Sequence, residues 1–541
     1  MAQAGKNENK GNAAENRQKK IAVIDFETDP FKYGRIPQPF AGGFYDGNEF
    51  VCTWGDQCVD ELVRVLDSIK TPLLIYAHNG GKFDFHFLLK YIGNPIKIIG
   101  SRIVSCSVGI HELRDSYAAL PVPLSAYEKT EIDYETFEPE TRESHRAAIT
   151  DYLRDDCVFL HALVSGFIER FGPALTIGSA SIKELRKRHP FALQRENHDI
   201  KFRRFYFGGR VQCFKVGIFN APVSIYDVNS MYPAAMKNAI HPTGIKYLTV
   251  RGSIMDKRGE IAGLAGAPFY FARVRARVLA GGLPTREKTG LSFPISATEG
   301  EFLSTSHELR LLSNMGAIKV SKVIEAHAPY ETISFGDFVD CFSAEKISAK
   351  KRGDKAAEIF SKLILNSSYG KTSQNPLAYR DYILMRGEIP DDTDYEISAD
   401  LGEVQIWEKP ATHHSYYDVA IGASITSAAR ATLLRGLVSV TGLYYCDTDS
   451  IICEDPGGLD VDQHRLGAWK HEGTGDRIAL AGKKLYCVWK AGEAIKYASK
   501  GAILSPPDIE RVAMGESVIW RNDAPTFSLH KTPSFITREI K

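Results

Sequence analysis

Apolar positions along this chain follow two rhythms, and the breaks between them carry most of its chemistry. Compact apolar or β-branched runs at Ile21 to Phe26, Leu73 to Tyr76, Val223 to Ile225, Leu443 to Tyr445 and Ile451 to Ile452 have the length and content of strands. Ile149 to Leu163 and Ala356 to Lys371 have helical spacing instead, and the second stretch ends near Gly370, where a helix stops readily. The pattern predicts strands that end in acidic tips and helices that gather polar groups on one face.

The sharpest tip is Tyr445 to Ile451, YCDTDSI. Its flanks predict a strand, a tight turn and a returning strand, with Asp447 and Asp449 together at the tip. Two carboxylates about 4 Å apart repel by roughly 4 kcal/mol at an effective dielectric near 20, and a bound divalent cation reverses that repulsion. Oxygen ligands of this kind suit magnesium. Asp-Thr-Asp-Ser is equally good turn chemistry, so the stretch does not decide by itself. A second tip lies upstream, where Asp227 ends a strand, and Pro233 with Ala234 to Lys237 predicts a turn and a helix start just after it. Positive charge comes from a third segment. Lys362, Asn366 and Tyr369 stand at i, i+4 and i+7, which puts an ammonium, an amide and a phenol on one helix face.

The N-terminal third carries a separate acidic set. Asp25 and Glu27 project from one side of the first strand near its end. Asn79 and Asp84 follow the strand Leu73 to Tyr76, and Tyr152 and Asp156, at i and i+4 of a helix, point into one site. Acid clusters are common on solvated surfaces, but each of these lies next to apolar sequence.

In order and content these segments resemble the family B DNA polymerases. Asp227 with Ser230-Met231-Tyr232-Pro233 is similar to the first palm motif, Lys362 to Gly370 to the fingers-helix motif, and Tyr445 to Ser450 to the second palm motif. Tyr206-Phe207-Gly208-Gly209 resembles the Tyr-x-Gly-Gly linker of the protein-primed branch found in phages and linear plasmids, and Lys484-Leu485-Tyr486 resembles its Lys-x-Tyr motif. The N-terminal set resembles the DEDDy 3′–5′ exonucleases. The resemblance covers nearly everything from Ile21 to the C-terminus.

This resemblance implies an α/β and α+β multidomain fold, a ribonuclease H-like exonuclease domain followed by a right-hand polymerase with palm, fingers and thumb. It implies two-metal sites for magnesium, with manganese able to substitute. In the polymerase site Asp227, the Val228 carbonyl, Asp447 and Asp449 would serve the ions. Lys362 would meet the triphosphate, with Ser230, Met231, Asn366 and Tyr369 completing the nucleotide site and Tyr232 under the sugar as a gate against ribonucleotides. Tyr206, Gly208, Gly209, Lys484 and Tyr486 would contact DNA, the last two from one face of a strand by their i, i+2 spacing. In the exonuclease, Asp25, Glu27, Asp84 and Asp156 would bind metals, Tyr152 would orient water, Lys129 would assist, and Asn79 and Ser116 would hold the frayed end. Two departures stand out. Tyr117 replaces the usual leucine, and an extra glycine lies between Asn79 and Asp84, where Gly80 and Gly81 can absorb an insertion.

Motif order predicts a disordered tail at 1–20, exonuclease at 21–185, palm at 186–239 and 418–499, fingers at 338–373 and thumb at 500–541. Segments 240–337 and 374–417 occupy the positions of the branch's two terminal-protein regions. Implied partners are template-primer DNA, deoxynucleoside triphosphates, a terminal priming protein and a single-stranded DNA-binding protein, for a monomer in the host bacterial cytoplasm. Composition agrees without deciding. The chain has 541 residues, 44% of them hydrophobic, and nine cysteines without zinc spacing, which fits a reducing compartment. A net charge of +1 is not that of a generally basic nucleic-acid binder, but basic clusters stand at Lys183 to His189, Lys201 to Lys215 and Lys346 to Lys355. No apolar run is long enough to span a bilayer, and no signal peptide is visible. Alternatives are a polymerase of this family that starts without a protein primer, a nuclease with a vestigial polymerase domain, or a DNA-binding scaffold with inactive sites.

Overall fold

The computed structural model describes residues 19–127, 131–279, 281–288, 290–294, 296–411, 417–529 and 531–541. The chain divides into two compact units. One runs to Leu175 and takes in Arg380–Lys409 and Pro525–Ser534; the other comprises Thr176–Tyr379, Pro410–Ala524 and Phe535–Lys541. Among the described residues, no helix is long and apolar enough to cross a membrane.

The first unit is built on a ten-stranded sheet. Its strands are β1 (Lys20–Thr28), β2 (Pro39–Tyr45), β3 (Phe50–Trp54), β4 (Leu73–Ala77), β5 (Ile92–Ile99), β6 (Arg102–Val108) and β7 (His111–Asp115), with Arg380–Met385, Glu396–Asp400 and Gln405–Pro410 added beyond β5. At one end the order is β3-β2-β1-β4-β7, in which β1, β4 and β7 are parallel and β2 is antiparallel to β1. This is the ribonuclease H-like arrangement. Helices α1 (Cys58–Ser68) and α2 (Arg146–Phe171) pack on this part of the sheet. All five residues of β4 are buried, as are Ala22 to Ile24 of β1, which explains why these strands read as unbroken apolar runs rather than alternating ones. The strand at β1 begins at Lys20, inside the segment expected to be a tail, and residues 1–18 lie outside the described residues. Residues 380–409 fold as strands of this sheet, sharing its core through Leu384, Ala399, Val404 and Ile406.

The second unit opens with two helices, Ile177–Arg188 and Glu196–Arg203, followed by β8 (Val211–Cys213), β9 (Val223–Val228) and α3 (Met231–Asn238). An insertion follows, made of β10 (His241–Ser253), β11 (Phe271–Val278), β12 (Thr298–Thr305), α4 (Ser306–Asn314) and β13 (Ile318–Ile333), whose antiparallel sheet runs β10-β13-β11-β12 over its own core. Helices α5 (Gly336–Arg352) and α6 (Lys355–Thr372) pack together, and α7 (Val419–Ser439) leads into β14 (Thr441–Asp447) and β15 (Ser450–Asp455). β16 (Trp469–Gly475) completes an antiparallel sheet of order β16-β9-β15-β14-β8. β17 (Arg477–Gly482), β18 (Leu485–Lys490) and β19 (Glu493–Ser499) form a second, four-stranded sheet with Gly217–Phe219, which pairs with β17. After α8 (Pro506–Ala513), Val518–Arg521 pairs with Thr537–Ile540. The expected C-terminal forty-residue thumb is therefore interrupted, because Pro525–Ser534 belongs to the first unit.

Helix α7 is buried along most of its length, and among its buried residues is Arg430, one half of an ion pair. Arg430, 5% exposed, donates from Nε and Nη2 to both oxygens of Glu308, 1% exposed, on α4. Ser304 and Ser427 donate to the same carboxylate at 2.8 and 2.9 Å. A buried pair satisfied in this way costs about 3–5 kcal/mol when one partner is removed, because the other charge is left without compensation. Glu308→Ala is expected to lower the thermal unfolding midpoint by several degrees in scanning calorimetry, and Glu308→Gln, which keeps hydrogen-bonding capacity, by less. An unchanged midpoint for Glu308→Ala would show that the pair does not hold α4 to α7.

Candidate functional site

Asp227 and Asp447 are brought level by strand register. Both stand opposite Ser450 of β15, Asp227 from β9 on one side and Asp447 from β14 on the other. Directly opposed residues of antiparallel strands share a face, so the two side chains project together from strands roughly 10 Å apart. Thr448 and Asp449 form the two-residue turn between β14 and β15, with Thr448 at φ 58°. The Asp449 carbonyl accepts the Val228 amide at 2.8 Å, which ties the turn to the end of β9. The predicted strand, turn and returning strand are thus present, with the third carboxylate beside them.

A segment from the linker motif fixes this turn from outside. The Thr448 amide donates to the Arg210 carbonyl at 2.7 Å, and Val211 pairs with Asp447. A Cβ at Gly209 would lie 2.7 Å from Thr448 Oγ1 and 2.9 Å from its Cγ2, a distance that only glycine permits. The carbonyls of Phe207 and Gly208 accept from Arg430 Nη1 at 2.6 and 3.1 Å. Arg430, a residue that motif reasoning missed, therefore supports the segment that holds the turn. Its signal was a lone arginine in the small-residue run Ala428 to Leu434, where a charge needs a dedicated partner.

The residues expected to meet a nucleotide lie on and just before α3 and on α6. Ser230 precedes α3 with φ 50°, and the Tyr232 and Tyr369 rings stack with centroids 4.0 Å apart at 13°. Burial and the neighbouring phenols of Tyr369 and Tyr206 push the Tyr232 hydroxyl above its usual range. Lys362 and Asn366 are exposed and Tyr369 half-buried on α6, as their spacing predicts. Lys346, from the basic cluster on α5, is pushed down by burial and then by Lys362, with Glu358 opposing.

Lys484 departs from expectation. It lies in the turn between β17 and β18 at φ 59°, before the strand rather than on its face, because the register joins Gly482 to Leu485. From there its Nζ reaches Asp447 Oδ2 at 2.5 Å, and Tyr445 Oη donates to the same oxygen at 3.2 Å. Tyr486, 6% exposed, is a core residue whose ring lies 4.9 Å from Tyr445.

In the first unit Asp25, Glu27 and Asp156 each offer an oxygen within 4.8 Å of the others. All-oxygen donors at that spacing fit a hard divalent cation. Asp84 is outside this close group, but its Oδ1 accepts the amide of Phe26, between Asp25 and Glu27, at 3.2 Å. Tyr152 Oη lies 3.2 Å from Tyr134 Oη, and burial, Tyr134, Asp156 and Glu27 push its hydroxyl far above the ordinary range. Asn79 takes the left-handed backbone at φ 64°, while Gly80 and Gly81 are closely packed, a Cβ on Gly81 falling 1.9 Å from the Ile103 carbonyl. The glycines are there for contact, not to absorb an insertion loosely. Ser116 is 1% exposed, and its hydroxyl meets the Ala77 carbonyl at 3.2 Å and His78 Nδ1 at 3.0 Å. It braces His78 rather than facing solvent. Tyr117 lies under the Arg102 guanidinium, 4.9 Å from its ring centroid. Lys129 lies outside the described residues.

An antiparallel sheet with acidic tips, a lysine-bearing helix packed against α3 and a ribonuclease H-like unit are the parts of a right-hand nucleic-acid polymerase. Comparison makes the class specific. A family model described as DNA polymerase type B, organellar and viral, matches residues 109–418. The DNA-directed DNA polymerase of Enterobacteria phage PRD1 is 44% identical over 561 residues of alignment, covering 96% of this chain and 98% of that one. The DNA polymerase of Bacillus phage phi29 is 25% identical over 280 residues, 48% of this chain and 44% of that one. A structure of phi29 DNA polymerase complexed with primer-template DNA and incoming nucleotide substrates matches the fold with a TM-score of 0.70 at 20% identity, covering 97% of this chain and 100% of that one. The chain belongs to the organellar and viral type B DNA polymerases, and it is a DNA-directed DNA polymerase whose activity depends on a metal ion.

Burial pushes Asp84 up to about 7, and burial together with Asp449 pushes Asp227 to about 7. A carboxyl raised from 3.8 binds its proton more tightly when folded, so without metal the folded state loses stability as pH rises from about 4 to 7. Asp227→Asn removes that penalty. The variant is expected to raise the unfolding midpoint of chelator-treated protein at pH 7.5 and to give a clearly smaller gain at pH 5, a difference that cancels the titration of the buried histidines. A gain at pH 5 as large as at pH 7.5 would contradict the raised Asp227.

Proposed function

We propose that this chain replicates a linear phage or plasmid genome from a protein primer and proofreads with its N-terminal unit. The observation that carries the polymerase reading is the register that sets Asp227 and Asp447 level across β15, beside Asp449. Asp227, Asp447 and the Val228 carbonyl would hold two magnesium ions, with Asp449 orienting them. Bound there, the ions would ease loss of the 3′-hydroxyl proton and stabilise the negative charge on the attacking oxygen and on the departing pyrophosphate.

The protein groups then position the reactants. Lys362 neutralises the triphosphate, the amides at Ser230 and Met231 receive phosphate oxygens, and the Tyr232 ring, held by Tyr369, sits under the deoxyribose and excludes a 2′-hydroxyl. Asn366 completes this pocket. Tyr206, Gly208 and Gly209 line the path of the template, and Lys484 and Tyr486 meet the primer end, Tyr486 by supporting Tyr445. In the first unit Asp25, Glu27, Asp84 and Asp156 hold ions for 3′–5′ hydrolysis, Tyr152 orients the water, and Asn79 receives the frayed strand with His78 braced by Ser116.

We assign exonuclease to 21–185, palm to 186–239 and 418–499, fingers to 338–373 and thumb to the described C-terminal parts of the second unit. Segments 240–337 and 374–417 would receive the terminal protein. The likeness to the PRD1 enzyme over nearly the whole of both chains supports this reading. Asp447→Ala is expected to reduce primer extension at least about a thousandfold while leaving degradation of single-stranded 3′ ends within twofold, and Asp25→Ala to do the reverse. Loss of both activities in either variant, or of neither, would break the assignment of separate sites.

A further inference from the structure

Every oxygen of the Asp447 carboxylate is engaged by the protein itself. Oδ2 accepts from Lys484 Nζ at 2.5 Å and from Tyr445 Oη at 3.2 Å, and Oδ1 from Thr448 Oγ1 at 3.2 Å. Tyr445 Oη in turn accepts the Lys484 amide at 3.0 Å, so one turn residue holds both donors to Oδ2 in place. Lys484 adopts a left-handed backbone to do this, a conformation that costs a non-glycine residue about 1 kcal/mol. Its carbonyl accepts the Lys500 amide at 2.9 Å, which secures the turn. The ammonium is nonetheless mobile in principle, since the side chain is 40% exposed on a four-carbon stem, whereas the Asp447 side chain is 18% exposed. The contrast with the first unit is direct. Asp25, Glu27 and Asp156 converge within 4.8 Å, and among the described residues no such group of three includes Asp447.

We infer that Lys484 is an internal counter-ion that keeps Asp447 from a divalent cation until the primer terminus draws the ammonium onto its phosphates. The inference rests on the proposed role of Asp447 as a metal ligand. A cation already paired with the carboxylate must leave before a metal ion can take that oxygen, so metal affinity and primer occupancy become linked, each raising the other by the same factor. An empty centre then stays without its full metal complement, and the site loads when a strand to extend has arrived. Lys484 is in this sense a positioning residue whose partner changes from carboxylate to phosphate.

The test counts bound manganese by electron paramagnetic resonance in the full chain carrying Asp25→Ala and Asp84→Ala, so that the second unit dominates. Without DNA, Lys484→Met is expected to bind Mn2+ about tenfold more tightly than the parent, a modest factor because the lysine is partly solvated. Lys484→Arg, which keeps the charge, should bind as the parent does. Adding a primer-template with a dideoxy end should tighten the parent by a similar factor and leave Lys484→Met within about twofold. If Lys484→Met binds no more tightly than the parent while Asp447→Asn loses the site, the counter-ion role is wrong. If Asp447→Asn also leaves Mn2+ binding unchanged, Asp447 is not a ligand and the inference falls with that reading.

Discussion

The carboxylate tip of the second unit depends on how closely one backbone approaches another. The linker from Phe207 to Val211 lies directly on the turn that carries Asp447 and Asp449, and a methyl group at Gly209 would overlap Thr448. Around that contact the restraints are arranged in series. Glu308 holds Arg430, Arg430 holds the carbonyls of Phe207 and Gly208, and the Arg210 carbonyl and Val211 hold the turn. A turn of two residues has little rigidity of its own, and Thr448 sits in a backbone region that costs a β-branched residue energy. The insertion therefore contributes to the position of the carboxylates through Glu308, although its sheet has a core of its own.

The two acidic centres manage charge differently. In the first unit Asp25, Glu27 and Asp156 each bring a carboxylate oxygen within 4.8 Å of the others, a spacing that one divalent cation can bridge. In the second, Asp447 has an ammonium partner, while Asp227 faces Asp449 and is held by burial in a range where it is readily protonated. Opposite charge and protonation are the two ways a protein can keep such groups close without metal. Each relieves the repulsion, and each must be undone before the carboxylate can serve as a ligand.

Much of this was legible in the sequence, and the parts that were not share a physical cause. The strands at Ile21, Leu73, Val223 and Leu443, the helix under Lys362 and the tip at Asp447 follow from local periodicity and turn chemistry, and the structure has them. What local pattern cannot reveal is register and long-range partnership. The i, i+2 spacing of Lys484 and Tyr486 suggested one strand face, but a two-residue turn starts the strand after Lys484. Gly80 and Gly81 looked like slack in a loop and are instead pressed against Ile103. Ser116 looked like a strand contact, yet its hydroxyl is turned toward Ala77 and His78. Glu308 and Arg430 lie far apart in sequence, and nothing local to either names the other. Residues 380–409 join the sheet of the first unit through β5, a pairing that sequence distance conceals.

The contact between Gly209 and Thr448 sets the position of the turn that carries Asp447 and Asp449. Extension of a primed template should be measured for Gly209→Ala at saturating nucleotide and metal, alone and combined with Thr448→Ala, which removes the hydroxyl and methyl that the new Cβ would meet. Displacing the catalytic carboxylates by a fraction of an ångström predicts a loss of about a hundredfold for the single variant and substantial recovery in the double variant, with the activity of the first unit unchanged in both. Extension by Gly209→Ala within twofold of the parent would show that the carboxylates do not depend on that close approach.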